Sequence, residues 1–433
     1  MNEDRIRPRD RDAIIQSLRA GVVPHTGLQH IQVGRVAEVR SLLADVERVA
    51  DGGSAFRLII GDYGSGKTFF LSVVRAIASE RKFVTARADL HPDRRLHATG
   101  GQGRSLYSEM MRNLATRAKP DGGALPGVVQ KFATSIEEEA RVSGGNVTEL
   151  MEHRLHALEE LVGGYDFASV IAQYWKGYKS DHEDLMRNAE RWLRGEFQTR
   201  TDARAALGVR TFVDDDNVYD HLKLLAKFVR LSGYAGLFIT LDELVNLYKL
   251  SNSQARNANY EQILRILNDS LQGSCEGLAI VMGGTPEFLI DPRRGLFSYQ
   301  ALASRLGDNA FVSTSIVDNT GPVIKLRGLT PEDLYILLSK LRHVFASGDQ
   351  SRYLVPDEAL EAFMKHCSKK IGDNYFRTPR TTIKAFLDLL AVLDQNQVEW
   401  SELIERTQIS SDTVSEDLSQ QEDDDDGLTT IKL

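Results

Sequence analysis

Three groups of residues have the types and spacing needed for chemistry. Gly61-Asp62-Tyr63-Gly64-Ser65-Gly66-Lys67-Thr68 matches G-x-x-x-x-G-K-[ST] in full. Glycines let the backbone wrap an anion, and the amide N–H groups at the start of the following helix point at it, where the helix dipole favours negative charge. In such a loop Lys67 reaches the β- and γ-phosphates of a nucleoside triphosphate and the Thr68 hydroxyl ligates Mg²⁺, with Asp62, Tyr63 and Phe69 lining the same turn. The second group is Asp242-Glu243, delivered by the apolar run Leu237–Leu241. A carboxylate at the C-terminal end of a buried strand lies where ligands bind in open α/β sheets. Asp242 is the expected Mg²⁺ holder and Glu243 the expected general base for an attacking water. Together the two groups imply ATP and Mg²⁺ as cofactors. The third group is Gly283-Gly284-Thr285-Pro286-Glu287, after the apolar run Leu278–Met282. Thr285 has two readings here: it orients the water between the other two motifs, or it caps a helix, since Thr-Pro-Glu opens helices well.

Three arginines are candidates for neutralising charge at the γ-phosphate: Arg305, about twenty residues past the fourth apolar run; Arg380, at the start of a C-terminal helix; and Arg35, upstream of the glycine-rich loop. By its residue type alone, each reads equally as a surface or salt-bridging side chain.

The elements that position these residues follow from hydropathy. Phe56–Ile60, Phe83–Ala88, Leu237–Leu241, Leu278–Met282 and Val323–Leu326 are short apolar runs, the pattern of strands buried on both faces. Strand, loop, helix and strand between Phe56 and Ala88 make a βαβ unit. The predicted fold class is α/β: a P-loop NTPase core with a parallel sheet, interrupted by a helical insertion and followed by a helical lid. The expected domains are an N-terminal arm (1–30), the first core segment (31–88), the insertion (89–216), the second core segment (217–328), the lid (329–409) and an acidic, disordered tail (410–433). Within the insertion, helices are predicted over Leu106–Arg117, Val128–Arg141, Val147–Leu161, Phe167–Tyr178 and His182–Glu196, with no strand.

The net charge of −8 is unevenly distributed. Seven acidic residues against one lysine between Glu416 and Leu433 place −6 of it in the tail, and the preceding 415 residues are close to neutral. Acidity therefore does not exclude nucleic acid as a partner. No apolar run approaches the ~20 residues that span a bilayer, and Met1–Asp12 lacks the apolar stretch of a secretory signal. Two cysteines, Cys275 and Cys367, make neither a metal-ligand spacing nor a disulfide framework, so a reducing cytoplasm is the expected setting. The basic stretch Arg94, Arg95, His97, Arg104, Arg112, Arg117 and Lys119 reads either as a contact surface for duplex DNA backbone or as a solvated face with salt bridges, for example to Glu137-Glu138-Glu139. The absence of a base-reading motif tips the reading toward the second.

Val33-Gly34-Arg35, followed by a helix and then by Gly61–Thr68, resembles the opening of AAA+ ATPases of the Orc-type initiator and STAND kinds. Through Ala20-Gly21-Val22-Val23-Pro24, the loop, Ala88-Asp89-Leu90, Arg200-Thr201-Asp202-Ala203-Arg204, Leu241-Asp242-Glu243 and Gly283–Glu287, the chain is similar to the P-loop ATP-binding proteins of BREX phage-defence systems, the BrxD group related to BrxC and PglY. That resemblance implies an ATP-hydrolysing motor or switch with other defence proteins as partners, able to form a homo-oligomer. It places Arg305 as an arginine finger acting on a neighbouring subunit, Arg380 as the sensor arginine of the lid, and Gly34-Arg35 along the adenine pocket. The alternatives are a nucleotide-dependent scaffold that hydrolyses ATP negligibly alone, and an initiator-like DNA loader. The long insertion departs from simple AAA+ modules and weakens the case for a ring.

Overall fold

The computed structural model describes residues 6–309, 318–371 and 379–406. Five strands form one sheet: β1 Ala55–Ile60, β2 Val84–Asp89, β3 Leu237–Asp242, β4 Leu278–Gly284 and β5 Val323–Lys325. Their order is β2-β3-β4-β1-β5, and every pairing is parallel. All five predicted strands are present, with ends moved by a residue or two.

Burial on both faces accounts for the continuous apolar runs. Phe56, Leu58 and Ile60 of β1 face a core shared with Ile239 and Leu241 of β3 and with the helices of 102–231. Ala55 and Ile59 face the opposite way, against helices Val36–Ala50 and Lys67–Glu80. Arg57 interrupts the first run, which is therefore less uniformly apolar than expected. It lies on the second face, where Asp45 of helix Val36–Ala50 accepts from its Nε at 2.6 Å and its Nη2 at 3.0 Å.

The predicted helical character of 89–216 is present, with three revisions, one being that the helix predicted over Val147–Leu161 ends at His156. The first helix ends at Arg112 instead of Arg117, because Ala115 leaves it to exchange backbone hydrogen bonds with Thr85 on the outer edge of β2. A further helix, Arg200–Leu207, is started by Thr199, whose hydroxyl accepts from the Asp202 amide. The core of these helices is continuous with one face of the sheet.

The chain divides into two compact units, Gly34–Gly328 and a second made of Met1–Val33 with Leu329–Leu433. The first holds the sheet. In the second, helix Pro8–Arg19 packs with Pro331–Phe345 and Pro379–Gln395, and Arg19 Nε meets Asp388 Oδ1 at 2.7 Å. Asp357–Ile371 and Trp400–Arg406 are its other α-helices among the described residues. Within the segment 1–30, expected as an arm, helix Pro8–Arg19 begins at a proline, a residue suited to the first helical position. The tail 410–433 lies outside the described residues. Cys275 and Cys367 are both buried and form no disulfide, and no described helix is long and apolar enough to cross a membrane.

Candidate functional site

The site forms at the C-terminal ends of β1, β3 and β4, as the parallel order requires. Gly64 and Gly66 take φ of 76° and 87°, left-handed values that suit glycine, and Gly66 is the residue before helix Lys67–Glu80. Lys67 Nζ donates to the carbonyls of Gly61 (2.8 Å) and Asp62 (2.9 Å), which hold the ammonium across the loop. Burial lowers its pKa, against the attraction of Asp242 and Glu243.

Strand β4 lies between β1 and β3, so Asp242 must reach past it. Gly283 makes this passage: a Cβ there would sit 2.5 Å from Asp242 Oδ1 and 3.0 Å from Leu71 Cδ1. Through this gap Asp242 Oδ2 accepts from Thr68 Oγ1 at 2.6 Å, which joins the loop to the end of β3. Asp242 Oδ1 accepts from the Glu243 amide at 2.9 Å. Glu243 has φ of 60°, a strained value for a residue with a Cβ, at the point where the strand turns into its loop. The turn is fixed from both sides, by Leu244 N–H to Gly283 O (3.1 Å) and Asn246 N–H to Glu243 O (3.0 Å). Next to Asp242 in register on β2 stands Asp89, a third carboxylate to which the sequence reading gave no role.

Burial pushes the Asp242 pKa up, and the bond from Thr68 pulls the other way. Partial burial raises Glu243 too, helped by the charges of Asp242 and Asp89. A carboxyl whose pKa is raised on folding adds stability at low pH, and that stability is lost as pH rises through the folded-state value. Asp242→Asn, which stays neutral, is therefore expected to melt at a higher temperature than the parent at neutral pH without divalent cation. Thermal melts taken from neutral pH down into the carboxylate range check this: the gap should close as the parent's Asp242 protonates, and a gap independent of pH would remove the desolvation account.

Gly284 O accepts from Gly61 N–H at 3.2 Å, so the residue before Thr285 touches the first residue of the loop. The Thr285 hydroxyl accepts from Phe288 N–H at 3.4 Å and begins helix Pro286–Ile290, the geometry of the capping alternative. The Arg35 guanidinium contacts the loop: Nη2 donates to Ser65 O at 2.7 Å and to Arg327 O at 3.0 Å. Arg305 is exposed on helix Gln300–Leu306 and donates back to Ala301 O at 2.8 Å. Arg380 lies in the other unit, exposed in the first turn of helix Pro379–Gln395, with its guanidinium against Gly21; Arg377 and Thr378 fall outside the described residues. The structure thus brings the glycine loop, Thr68, Asp242, Glu243, Gly284 and Arg35 together inside one unit.

The basic stretch is largely engaged within the chain. Arg94 and Arg112 pair with Glu109, Arg117 pairs with Glu80, and Arg104 donates to Phe197 O. The acidic triplet suggested as its partner pairs elsewhere, Glu137 with Lys179, Glu138 with Arg141 and Glu139 with Arg154, because all three sit on a different helix, Leu125–Ser143. The amides of Gly101 and Arg104, which would suit a phosphate, bind the Asp215 carboxylate at 2.7 and 2.9 Å. Tyr107, the stretch's aromatic residue, is buried with its hydroxyl on Leu193 O. These contacts favour the salt-bridged face over the DNA surface.

The residues present fit a nucleotide and its cation. Two left-handed glycines shape the loop, a lysine lies across it, and a hydroxyl–carboxylate pair stands beside it. The Ser65 hydroxyl is buried in the loop without a hydrogen-bond partner. No curated protein matches the chain. The sequence profile of the BREX system ATP-binding protein BrxC/D family matches residues 6–408, and the chain belongs to that family.

Proposed function

We propose that this member of the BrxC/D family binds ATP with Mg²⁺ at the loop Gly61–Thr68 and hydrolyses it, acting as a motor or switch in BREX defence. The observation that carries the reading is the 2.6 Å bond from Thr68 to Asp242, which unites two motifs 174 residues apart in the chain. A magnesium nucleotide there would supply an electrophilic phosphorus and a cation that neutralises phosphate charge. The protein's contribution is placement and charge. The loop amides and Lys67 orient and hold phosphate oxygens. Thr68 and Asp242 are the residues that would hold Mg²⁺. Glu243, held at the strand end with a raised pKa, accepts a proton from water and so aims it.

Arg305 fits a role on a neighbouring subunit's nucleotide, since it is exposed and contacts only its own helix in the described bonds. Arg380 and Thr285 remain proposed nucleotide-responsive residues on the strength of the family resemblance, Thr285 with the added duty of a cap. The setting in the cytoplasm and the recruitment of other defence proteins belong to the same proposal.

The test is direct. Purified protein should retain ATP in a filter-binding or fluorescence titration and release phosphate when Mg²⁺ is added. Lys67→Ala should weaken binding by about 10- to 100-fold, the range expected for losing charge-assisted hydrogen bonds. Equal affinity in Lys67→Ala would mean that the loop is not the nucleotide site.

A further inference from the structure

Arg35 contacts main-chain carbonyls of the loop and of the segment past β5. It takes a left-handed backbone, φ 58° and ψ 28°, directly after Gly34 at φ 65°. Two successive left-handed residues turn the chain sharply just before helix Val36–Ala50, a conformation that a residue with a Cβ adopts only under strain. The turn aims the guanidinium at two main-chain carbonyls, Ser65 O in the loop and Arg327 O just past β5. The second anchor is firm, because Leu326 N–H bonds to Ile60 O at 2.7 Å and Leu326 packs where a Cβ on Gly61 would fall.

We propose that Arg35 is a positioning residue that sets the orientation of the Ser65–Gly66 peptide, so that the Gly66 N–H is presented to the phosphates. The inference rests on the nucleotide reading given above. Its physics is the planarity of the trans peptide: C=O and N–H of one unit point in opposite directions. A guanidinium that pulls the Ser65 carbonyl toward the end of β5 turns the Gly66 N–H the other way. Gly66, on one side of that peptide, is a glycine in left-handed conformation, whose φ can change at little steric cost. Without an external anchor the loop could therefore present a carbonyl, which repels phosphate, in place of an amide. Arginine suits the task because its planar fork of donors can hold two acceptors at once and keeps its charge at every physiological pH.

The reading differs in outcome from an adenine-lining Arg35. The variants are Arg35→Asn, which tolerates the left-handed backbone but is too short to reach the carbonyls, and Arg35→Lys, which keeps the charge and one contact. Two measurements are made on the full chain. Hydrogen exchange of the 61–68 segment without nucleotide should be faster in Arg35→Asn than in the parent, with Arg35→Lys between them. In competition against a fluorescent ATP analogue, ATP and inorganic tripolyphosphate should weaken by the same factor in Arg35→Asn, about 10- to 100-fold, with partial recovery in Arg35→Lys and no change for adenosine. Weakened adenosine with unchanged tripolyphosphate would overturn the proposal in favour of a base contact. Unchanged loop exchange or unchanged ATP affinity in both variants, with the parent binding normally, would overturn it alone. A parent that binds neither ATP nor tripolyphosphate would remove the nucleotide reading and this inference together. If Arg35→Asn does not fold, the comparison of Arg35→Lys with the parent decides by the same criteria.

Discussion

Glu243→Gln is expected to keep ATP bound and to slow phosphate release by about 10²- to 10³-fold, within the usual worth of a positioned general base. Glutamine preserves the length of the side chain and leaves the Thr68–Asp242 bond untouched. The three bonds that fix the turn, from Glu243 N–H to the Asp242 carboxylate, from Leu244 N–H to Gly283 O and from Asn246 N–H to Glu243 O, do not involve the side chain that changes. Binding and turnover should therefore separate: ATP co-elutes with the variant on gel filtration, while phosphate accumulates at a small fraction of the parent's rate. Glu243→Gly is the informative companion. It removes the same carboxyl and also relieves the left-handed backbone, so it should lose turnover equally while melting higher, by up to ~1 kcal/mol. Parental turnover in either variant would remove Glu243 as the base. A stability gain with full loss of activity would identify strain kept at this residue because the chemistry needs a side chain there.

The strands and the phosphate loop were legible in the sequence because each is dictated locally. A strand buried on both faces is apolar along most of its length, and a backbone that wraps phosphate needs glycines at set intervals before a helix. Asp242 and Glu243 were legible for a related reason, as carboxylates at the end of such a run. What stayed hidden depends on register between distant segments. Gly283 looks like an ordinary turn glycine until β4 is known to separate β1 from β3, after which it becomes the gap through which Asp242 reaches Thr68. Arg35 could be suspected from its family resemblance, but its bond to Ser65 O requires the fold. Asp89 stands at a strand end just as Asp242 does, and that parallel was the signal available for it. In the basic stretch, charge density alone could not show that Glu109, Glu80 and Asp215 would occupy its cations and amides.

The largest stability effect is expected from the buried pair Asp45–Arg57. Asp45 is 2 % exposed and Arg57 5 %, and the carboxylate also accepts from Arg48 Nη2 at 2.7 Å. Beyond Asp45, the Arg57 Nη1 donates to the carbonyls of Asn319 and Thr320 at 3.2 and 2.8 Å and contacts that of Gly321. The next carbonyl, of Pro322, accepts from Leu58 N–H at 2.7 Å and leads into β5. One guanidinium thus fastens the approach to the strand whose end abuts the phosphate loop. Asp45→Ala leaves this cation buried without its counter-charge and is expected to destabilise by about 3–5 kcal/mol, read by urea unfolding. Arg57→Leu leaves the buried Asp45 carboxylate to Arg48 and strands three carbonyls, so it should be comparably damaging. Asp45→Asn, which keeps an acceptor for the Nε, should fall between Asp45→Ala and the parent. In the double variant Asp45→Leu/Arg57→Leu no buried charge of the pair is left alone, so its cost should be smaller than the sum of the single changes. Strict additivity would mean the two side chains act independently. The placement of β5, and of the Arg327 carbonyl that Arg35 holds, would then rest on the apolar contacts of Ile324 and Leu326 with the rest of the sheet's second face.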